Sequence, residues 1–122
     1  MSAPDLELKK AFGELQMKMV ESKQKIKLND MQVESLKRSI AHSMLTDQEI
    51  ATLPQGTKVY ESAGRMFLLS DIAEVRTGLE NKQTVCKDKI KVLETSKEYL
   101  ERSVKESENN LRELISQKKS SN

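Results

Sequence analysis

Residues 79–114 read LENKQTVCKDKIKVLETSKEYLERSVKESENNLREL, with apolar side chains at alternating steps of four and three residues. The alternation never slips along the stretch. Eight of the eleven positions in this register are apolar: Leu79, Gln83, Cys86, Ile90, Leu93, Lys97, Leu100, Val104, Ser107, Leu111 and Leu114. A sustained repeat of about 3.5 residues keeps one face of a helix against a partner as the two wind around each other. The stretch therefore predicts one helix of a coiled coil.

A second run of the same kind lies near the other end of the chain. Eight of its ten positions are apolar: Leu8, Phe12, Leu15, Met19, Ser22, Ile26, Asn29, Val33, Leu36 and Ile40. The nearest partner for each run is the other run, because both belong to one short chain. Antiparallel pairing is the simplest geometry, and it predicts Leu8 near Leu114 and Ile40 near Leu79 or Gln83. Both termini then lie together at one tip.

Composition supports long solvated helices over a conventional globular core. The chain has 122 residues, of which 33% are charged and 3% aromatic, and it has no tryptophan. High charge with a heptad repeat is typical of coiled coils. The formal net charge of +2 is close to balance, so the composition indicates no preference for nucleic acid or for an acidic membrane surface.

The compartment is predicted from what the sequence lacks. A single cysteine excludes an intrachain disulfide, which suits a reducing compartment. The first residues, MSAPDLE, have no basic region followed by an apolar one, so we expect no signal peptide. No stretch approaches the roughly 20 apolar residues of a membrane span. We expect a soluble, intracellular protein.

The segment between the runs predicts a change of structure. We expect helix one over residues 5–43 and a short helical turn over 46–55, since TDQE at 46–49 has the pattern of a capping box. β-favouring residues on either side of Ala-Gly-Arg predict a hairpin over 57–70. Helix two follows over 71–117. The whole chain, 1–122, is predicted to be one domain.

The predicted hairpin is not stable by itself. A two-stranded hairpin is marginal in water and leaves both outer edges unpaired. We therefore expect it to pair with hairpins of other chains in a sheet or barrel. The residues predicted to make this assembly are Val59, Tyr60, Gly64, Met66, Phe67, Leu68 and Leu69.

Four motifs resemble one family. LELKKAF near the start, TDQEI, VY followed by GRMF, and the late YLERSVKE are similar to the beta-type prefoldin subunits over essentially the whole chain. The resemblance implies a mostly α fold, a long antiparallel two-helix coiled coil connected by a β-hairpin that joins an intersubunit β-barrel. It also implies a cytoplasmic heterohexamer of two alpha-type and four beta-type subunits. That complex captures unfolded proteins, notably actin and tubulin, and delivers them to the cytosolic chaperonin without nucleotide hydrolysis.

The tip has two interpretations. Its apolar residues close the end of the coiled coil, or they become exposed when the end frays and then bind unfolded chains. Gly13 weakens helix one close to this end, and flexible methionines suit varied partners. The predicted client-binding residues are Leu8, Phe12, Leu15, Met19, Leu111, Leu114 and Ile115.

The remaining distinctive residues have structural interpretations. Ser22, Asn29, Lys97 and Ser107 interrupt the apolar seam, and such residues usually set the register of a coiled coil. Cys86 occupies a seam position and is interpreted as a small buried apolar residue.

The sequence carries no sign of catalysis. We find no phosphate-binding glycine loop and no nucleophile with an adjacent base. His42 is the single histidine and lacks a cluster of metal ligands around it. Lys23, Lys25 and Lys27 alternate around a helix and do not form one basic stripe. We predict no enzyme activity, no cofactor, no metal, no nucleic-acid partner and no membrane partner.

A different class of protein fits the heptads alone. A homo-oligomeric coiled-coil scaffold would tether other proteins without binding unfolded chains. The hairpin separates the two hypotheses, because a plain scaffold has no need of it.

Overall fold

The computed structural model of the chain describes residues 3–120. Along the chain, a two-stranded hairpin lies between two long helices. The elements are α1 (Ala3–Ala51), β1 (Val59–Ala63), β2 (Met66–Ser70) and α2 (Ile72–Ser120). The strands are antiparallel neighbours. The predicted mostly helical fold, with a hairpin between two long helices, is confirmed.

Helix α1 is longer than predicted, and it has no break after residue 43. It continues through Thr46, whose side chain does not cap a new helix but donates a hydrogen bond to the carbonyl of His42 at 2.9 Å. A threonine hydroxyl can bond back to the preceding turn in this way within a helix. The spacing of the positions that face α2 also continues, since Ser43 is buried and Ile50 is half-buried. The expected short helical turn over 46–55 is therefore wrong.

A tight turn follows the true end of α1. The amides of Thr52 and Leu53 bond to carbonyls three residues back, which tightens the last turn. Pro54 then accepts a hydrogen bond from the amide of Thr57 at 3.2 Å, and Gly56 between them has a φ of 87°. This is the geometry of a type II turn, which requires positive φ at its third residue.

Helix α2 begins with a side-chain cap. Asp71 Oδ1 accepts a hydrogen bond from the amide of Ala73 at 3.4 Å, as an N-terminal capping aspartate does. Ile72 is half-buried and Val75 is buried, so the seam extends further toward the hairpin than the predicted start at Leu79. The helix ends at Ser120, three residues past the predicted end at 117.

The described residues form two compact units. The hairpin unit is Gln32–Val92, and the terminal unit is the described part of Met1–Met31 with Leu93–Asn122. Every position of both predicted heptad runs is buried or half-buried. Among the described apolar residues, only Val75 and Cys86 are buried, so each unit has a narrow seam and no thick core.

An ion pair joins the two helices in each unit. In the hairpin unit Arg76 Nε donates to Asp47 Oδ1 at 2.9 Å, so the start of α2 lies beside the end of α1. In the terminal unit Lys97 Nζ lies 2.8 Å from Asp30 Oδ1. The helices run antiparallel in both units, as the sequence predicts.

Candidate functional site

The hairpin presents apolar side chains on both of its faces. Partners across the ladder share a face, and the observed register pairs Tyr60 with Leu69 and Glu61 with Leu68. Tyr60, Phe67 and Leu69 therefore lie on one face, and Val59, Met66 and Leu68 lie on the other. A sheet with one solvated face would alternate apolar with polar residues. The pattern of β2 instead suits burial on both sides.

These hairpin residues are largely uncovered within the chain. Phe67 is 72% exposed, and Tyr60, Met66, Leu68 and Leu69 are also exposed. Val59 is the exception among the predicted apolar assembly residues, because it is half-buried. In the part of the chain that the structure describes, β1 and β2 pair only with each other, so both outer edges are open. The role of these residues in assembly stays a prediction.

The turn of the hairpin depends on Gly64. The loop has two residues, Gly64 and Arg65, and Gly64 has a φ of 63°. No described residue other than glycine has positive φ, so Arg65 has negative φ. Positive φ at the first loop position alone is the pattern of a type II′ turn, whose twist matches that of the strands. Among the residues predicted to make the assembly, Gly64 therefore acts through its backbone conformation, which forms the hairpin turn.

Four of the seven residues predicted to bind clients line one groove of the terminal unit. The groove has a volume of about 590 Å³. We call it the terminal groove, and it is lined by Asp5, Leu8, Lys9, Phe12, Leu114, Ile115 and Lys118. Leu8 and Leu114 thus lie near each other, as antiparallel pairing predicts. Four of its lining residues are apolar, and the other three are charged.

The other predicted client residues have different positions. Met19 and Leu111 line a second groove, of about 610 Å³, together with Gly13, Gln16, Met17, Val20 and Lys23. We call it the methionine groove. Leu15 is half-buried and lines neither of these two grooves. Six of the seven predicted residues are half-buried, and Ile115 is 45% exposed. Their role in client binding stays a prediction.

Polar residues interrupt the seam of the terminal unit. Asn29 is half-buried, and its Nδ2 is enclosed without a hydrogen-bond acceptor among the described residues. Lys97 keeps its charge by contact with Asp30, and this hydrogen bond, followed by the charge of Asp30, raises the pKa of Lys97 above its ordinary value. Exposed ion pairs add little stability, so we expect this pair to contribute little to the free energy of unfolding.

The ion pair between Arg76 and Asp47 in the hairpin unit has a similar effect on the pKa of its basic residue. The hydrogen bond to Asp47, followed by that carboxylate's charge, raises the pKa of Arg76. Both groups stay charged at neutral pH, so neither is poised to transfer a proton.

The sequence analysis missed part of the exposed apolar surface. Val20, Leu28 and Met31 are exposed on α1 and belong to no heptad position of the seam. A search for a second uncharged stripe on the same helix would have found them. The sequence indicates flexible methionines near the tip, but it does not by itself connect Met17 with these neighbours.

Neither a metal-ligand cluster nor a membrane-spanning helix is found among the described residues. Within residues 3–120, no three His, Cys, Asp or Glu side chains lie together in a way that could hold a metal ion. Neither helix, as far as the structure describes it, has a stretch apolar enough to span a bilayer.

Comparison with known proteins identifies the family. A family model described as "Prefoldin subunit" matches residues 13–118. A protein named "Prefoldin subunit 1" from Danio rerio is 54% identical over 116 residues, which cover 94% of this chain and 95% of that protein. The Homo sapiens protein of the same name is 53% identical with the same coverage. The Arabidopsis thaliana protein is 38% identical and covers 88% of this chain and 84% of its own.

A solved structure adds a weaker likeness. The crystal structure of the prefoldin beta subunit from Thermococcus strain KS-1 aligns with a TM-score of 0.47 and 23% identity, over 94% of this chain and 91% of that one. The assignment rests on the sequence relatives. Their name agrees with the resemblance of the four motifs, LELKKAF, TDQEI, VY with GRMF, and YLERSVKE, which are similar to prefoldin subunit one in particular. The family model and these relatives show that the chain belongs to the prefoldin family.

Proposed function

We propose that the chain is a beta-type subunit of a cytoplasmic heterohexameric prefoldin co-chaperone. It assembles with other alpha-type and beta-type subunits through its hairpin. It captures unfolded or nascent proteins, actin and tubulin among them, at the end of its coiled coil. The complex then passes them to the cytosolic chaperonin. The chain contributes binding surfaces and no chemical step.

The observation that carries this proposal is the two-faced apolar hairpin. Phe67 and Leu69 on one face, and Met66 and Leu68 on the other, are all exposed within the chain. Leaving such a hairpin in water is unfavourable, and its open edges invite pairing with other strands. A multi-subunit barrel would cover both faces and pair both edges. Membership of the prefoldin family supports this kind of partner.

The terminal groove supports capture of clients. It is open, mostly apolar, and lined by residues near the start of α1 and near the end of α2. Local opening costs least at such ends. Unfolded chains offer many different apolar segments, and several weak contacts on separate arms of one complex raise the overall affinity. Such a surface needs adaptability more than a close fit.

The experiment compares two aromatic-to-aspartate variants in co-expression with the other prefoldin subunits. Phe67→Asp should block entry into the complex, since a charge buried in the assembled sheet costs on the order of several kcal/mol. Tyr99→Asp is the matched control, because Tyr99 is 67% exposed on α2, outside the hairpin. Native mass measurement reads the result.

Each outcome of that measurement has a definite meaning. Loss of the chain from a six-subunit complex with Phe67→Asp, and its retention with Tyr99→Asp, supports the proposal. Full incorporation of Phe67→Asp contradicts it. A homodimeric rod for the unaltered chain would favour a coiled-coil scaffold instead.

A further inference from the structure

A second uncharged stripe runs along α1, away from the seam. Its members follow at steps of three and four residues: Gly13, Met17, Val20, Gln24, Leu28 and Met31. At about 100° per residue, they fall within an arc of about 80°, roughly opposite the seam positions of the same helix. None is charged, in a chain where 33% of residues are charged. We call this surface the outer stripe, and all of it lies in the terminal unit.

The apolar members of the outer stripe are open to solvent. Met17 is 66% exposed and Met31 is 61% exposed, and Val20 and Leu28 are similarly accessible. Apolar residues are accordingly spread more evenly around α1 than around α2, which is clearly one-sided. A solvated helix of a two-helix coiled coil needs only one apolar face. The second apolar face is therefore a candidate binding surface for a molecule other than α2.

The outer stripe continues into an existing groove. Met17 and Val20 line the methionine groove together with Met19 and Leu111 from the seam. Exposed charges flank the stripe with opposite signs, Lys23 and Lys27 along one edge and Glu14 and Glu21 along the other. A ligand bound to the outer stripe would contact apolar side chains along its centre, lysines along one edge and glutamates along the other.

We propose that the outer stripe binds an extended apolar segment of an unfolded polypeptide. The inference rests on the function proposed above and places a client contact on the outside of α1, apart from the terminal groove. The apolar side chains of the stripe expose on the order of a few hundred Å², whereas a stable interface needs about 800 Å² per partner. A second copy of the chain is therefore a poor occupant, and a transient one fits. Methionines at both ends adapt to varied sequences.

The test uses the methionine methyl groups as reporters. Only this subunit is labelled with ¹³C-methyl methionine and is assembled into the complete complex with unlabelled partners, so that the other arms give no signal. The probe is reduced, carboxymethylated α-lactalbumin, which stays unfolded. We expect the signals of Met17 and Met31 to shift or broaden when the probe binds. Met44, which is exposed in the hairpin unit, is the control and should not change.

A pair of double variants checks that the stripe itself causes the change. Val20→Ser with Leu28→Ser should abolish the response of Met17 and Met31. Val85→Ser with Val92→Ser removes two comparably exposed valines from α2 and should leave the response intact. Serine and valine have similar helix propensities, so the three valine substitutions have similar effects on the helix backbone. Leucine is the better helix former, so Leu28→Ser weakens α1 somewhat more than either control substitution weakens α2.

The possible failures are distinguishable. If the probe does not co-elute with the complex on gel filtration, client capture itself fails, and the proposed function falls with it. If the probe co-elutes while Met17 and Met31 stay unchanged, or while only Met19 responds, clients bind elsewhere and the outer stripe is refuted alone. Changes that depend on complex concentration without probe would mean that the stripe pairs with a second copy, which also overturns the proposal.

Discussion

Polar residues in the seam are accommodated in two different ways. Lys97 keeps its ammonium group at the edge of the seam, where Asp30 accepts its hydrogen bond. Asn29 lacks such a partner, because its Nδ2 is enclosed without a hydrogen-bond acceptor among the described residues. A buried amide that lacks a hydrogen bond costs about 1–3 kcal/mol. The terminal unit is therefore less stable than its heptad pattern alone would give.

Replacing that amide should stabilise the protein. Asn29→Leu removes the unpaired group and adds apolar contact in the seam, so we expect the free energy of unfolding to rise by about 1–3 kcal/mol. Hydrogen exchange of α1 amides in the assembled complex should slow around residue 29. Asn110→Leu is the control, since Asn110 is exposed on α2 and should change stability by less than about 0.5 kcal/mol. Faster exchange in Asn29→Leu would show that the amide makes a stabilising contact.

At the scale of elements, substitution by alanine should have opposite effects on stability at two of the glycines. Gly64 has a φ of 63° in the hairpin turn, so Gly64→Ala should destabilise by about 1–2 kcal/mol from backbone strain alone. Gly13 lies in α1, and an added Cβ would meet no atom within 4 Å. Gly13→Ala should therefore stabilise by about 1 kcal/mol. Thermal unfolding of the assembled complex measures both, and shifts in the same direction would contradict the assignment of these backbone conformations.

The sequence predicted the two long helices and the hairpin because each has a periodic signal. Every expected seam position is buried or half-buried. It failed at the end of α1, where Thr46 and Glu49 have the spacing of a capping box although the helix continues. Local motifs cannot distinguish a cap from a threonine that bonds back to His42. Ser43 and Ile50 continue the seam spacing beyond Ile40, and this spacing correctly indicates that α1 continues past residue 43.

The candidate sites were predictable to different degrees. The hairpin assembly set follows from its two β-favouring runs and from the instability of an isolated hairpin. The outer stripe was missed because a heptad search records one face of a helix and treats the other face as solvent. Exposure of Leu28 and Met31 becomes visible only when the seam has been assigned.

At the scale of the whole molecule, the chain has uncovered apolar surface in two separate units. In the hairpin unit the surface is two-faced and has open strand edges, which suits permanent pairing. In the terminal unit it consists of open grooves and a narrow stripe, which suit weak contacts. A protein built for both assembly and capture would divide its surfaces in this way. A simple coiled-coil scaffold has no need of the hairpin surface and gives no reason for the apolar surface of the terminal unit.

The last prediction separates capture from assembly. Deleting residues 1–15 together with 111–122 removes the terminal groove and cuts both helices at about the same level of the seam. The hairpin unit is untouched, so we expect the complex to assemble with normal mass. Suppression of aggregation of a denatured client should fall, but not vanish, because most of the outer stripe remains. An equal shortening of another subunit is the control, since the arms share the task. If all beta-type subunits are shortened together and suppression remains complete, the terminal groove has no part in capture.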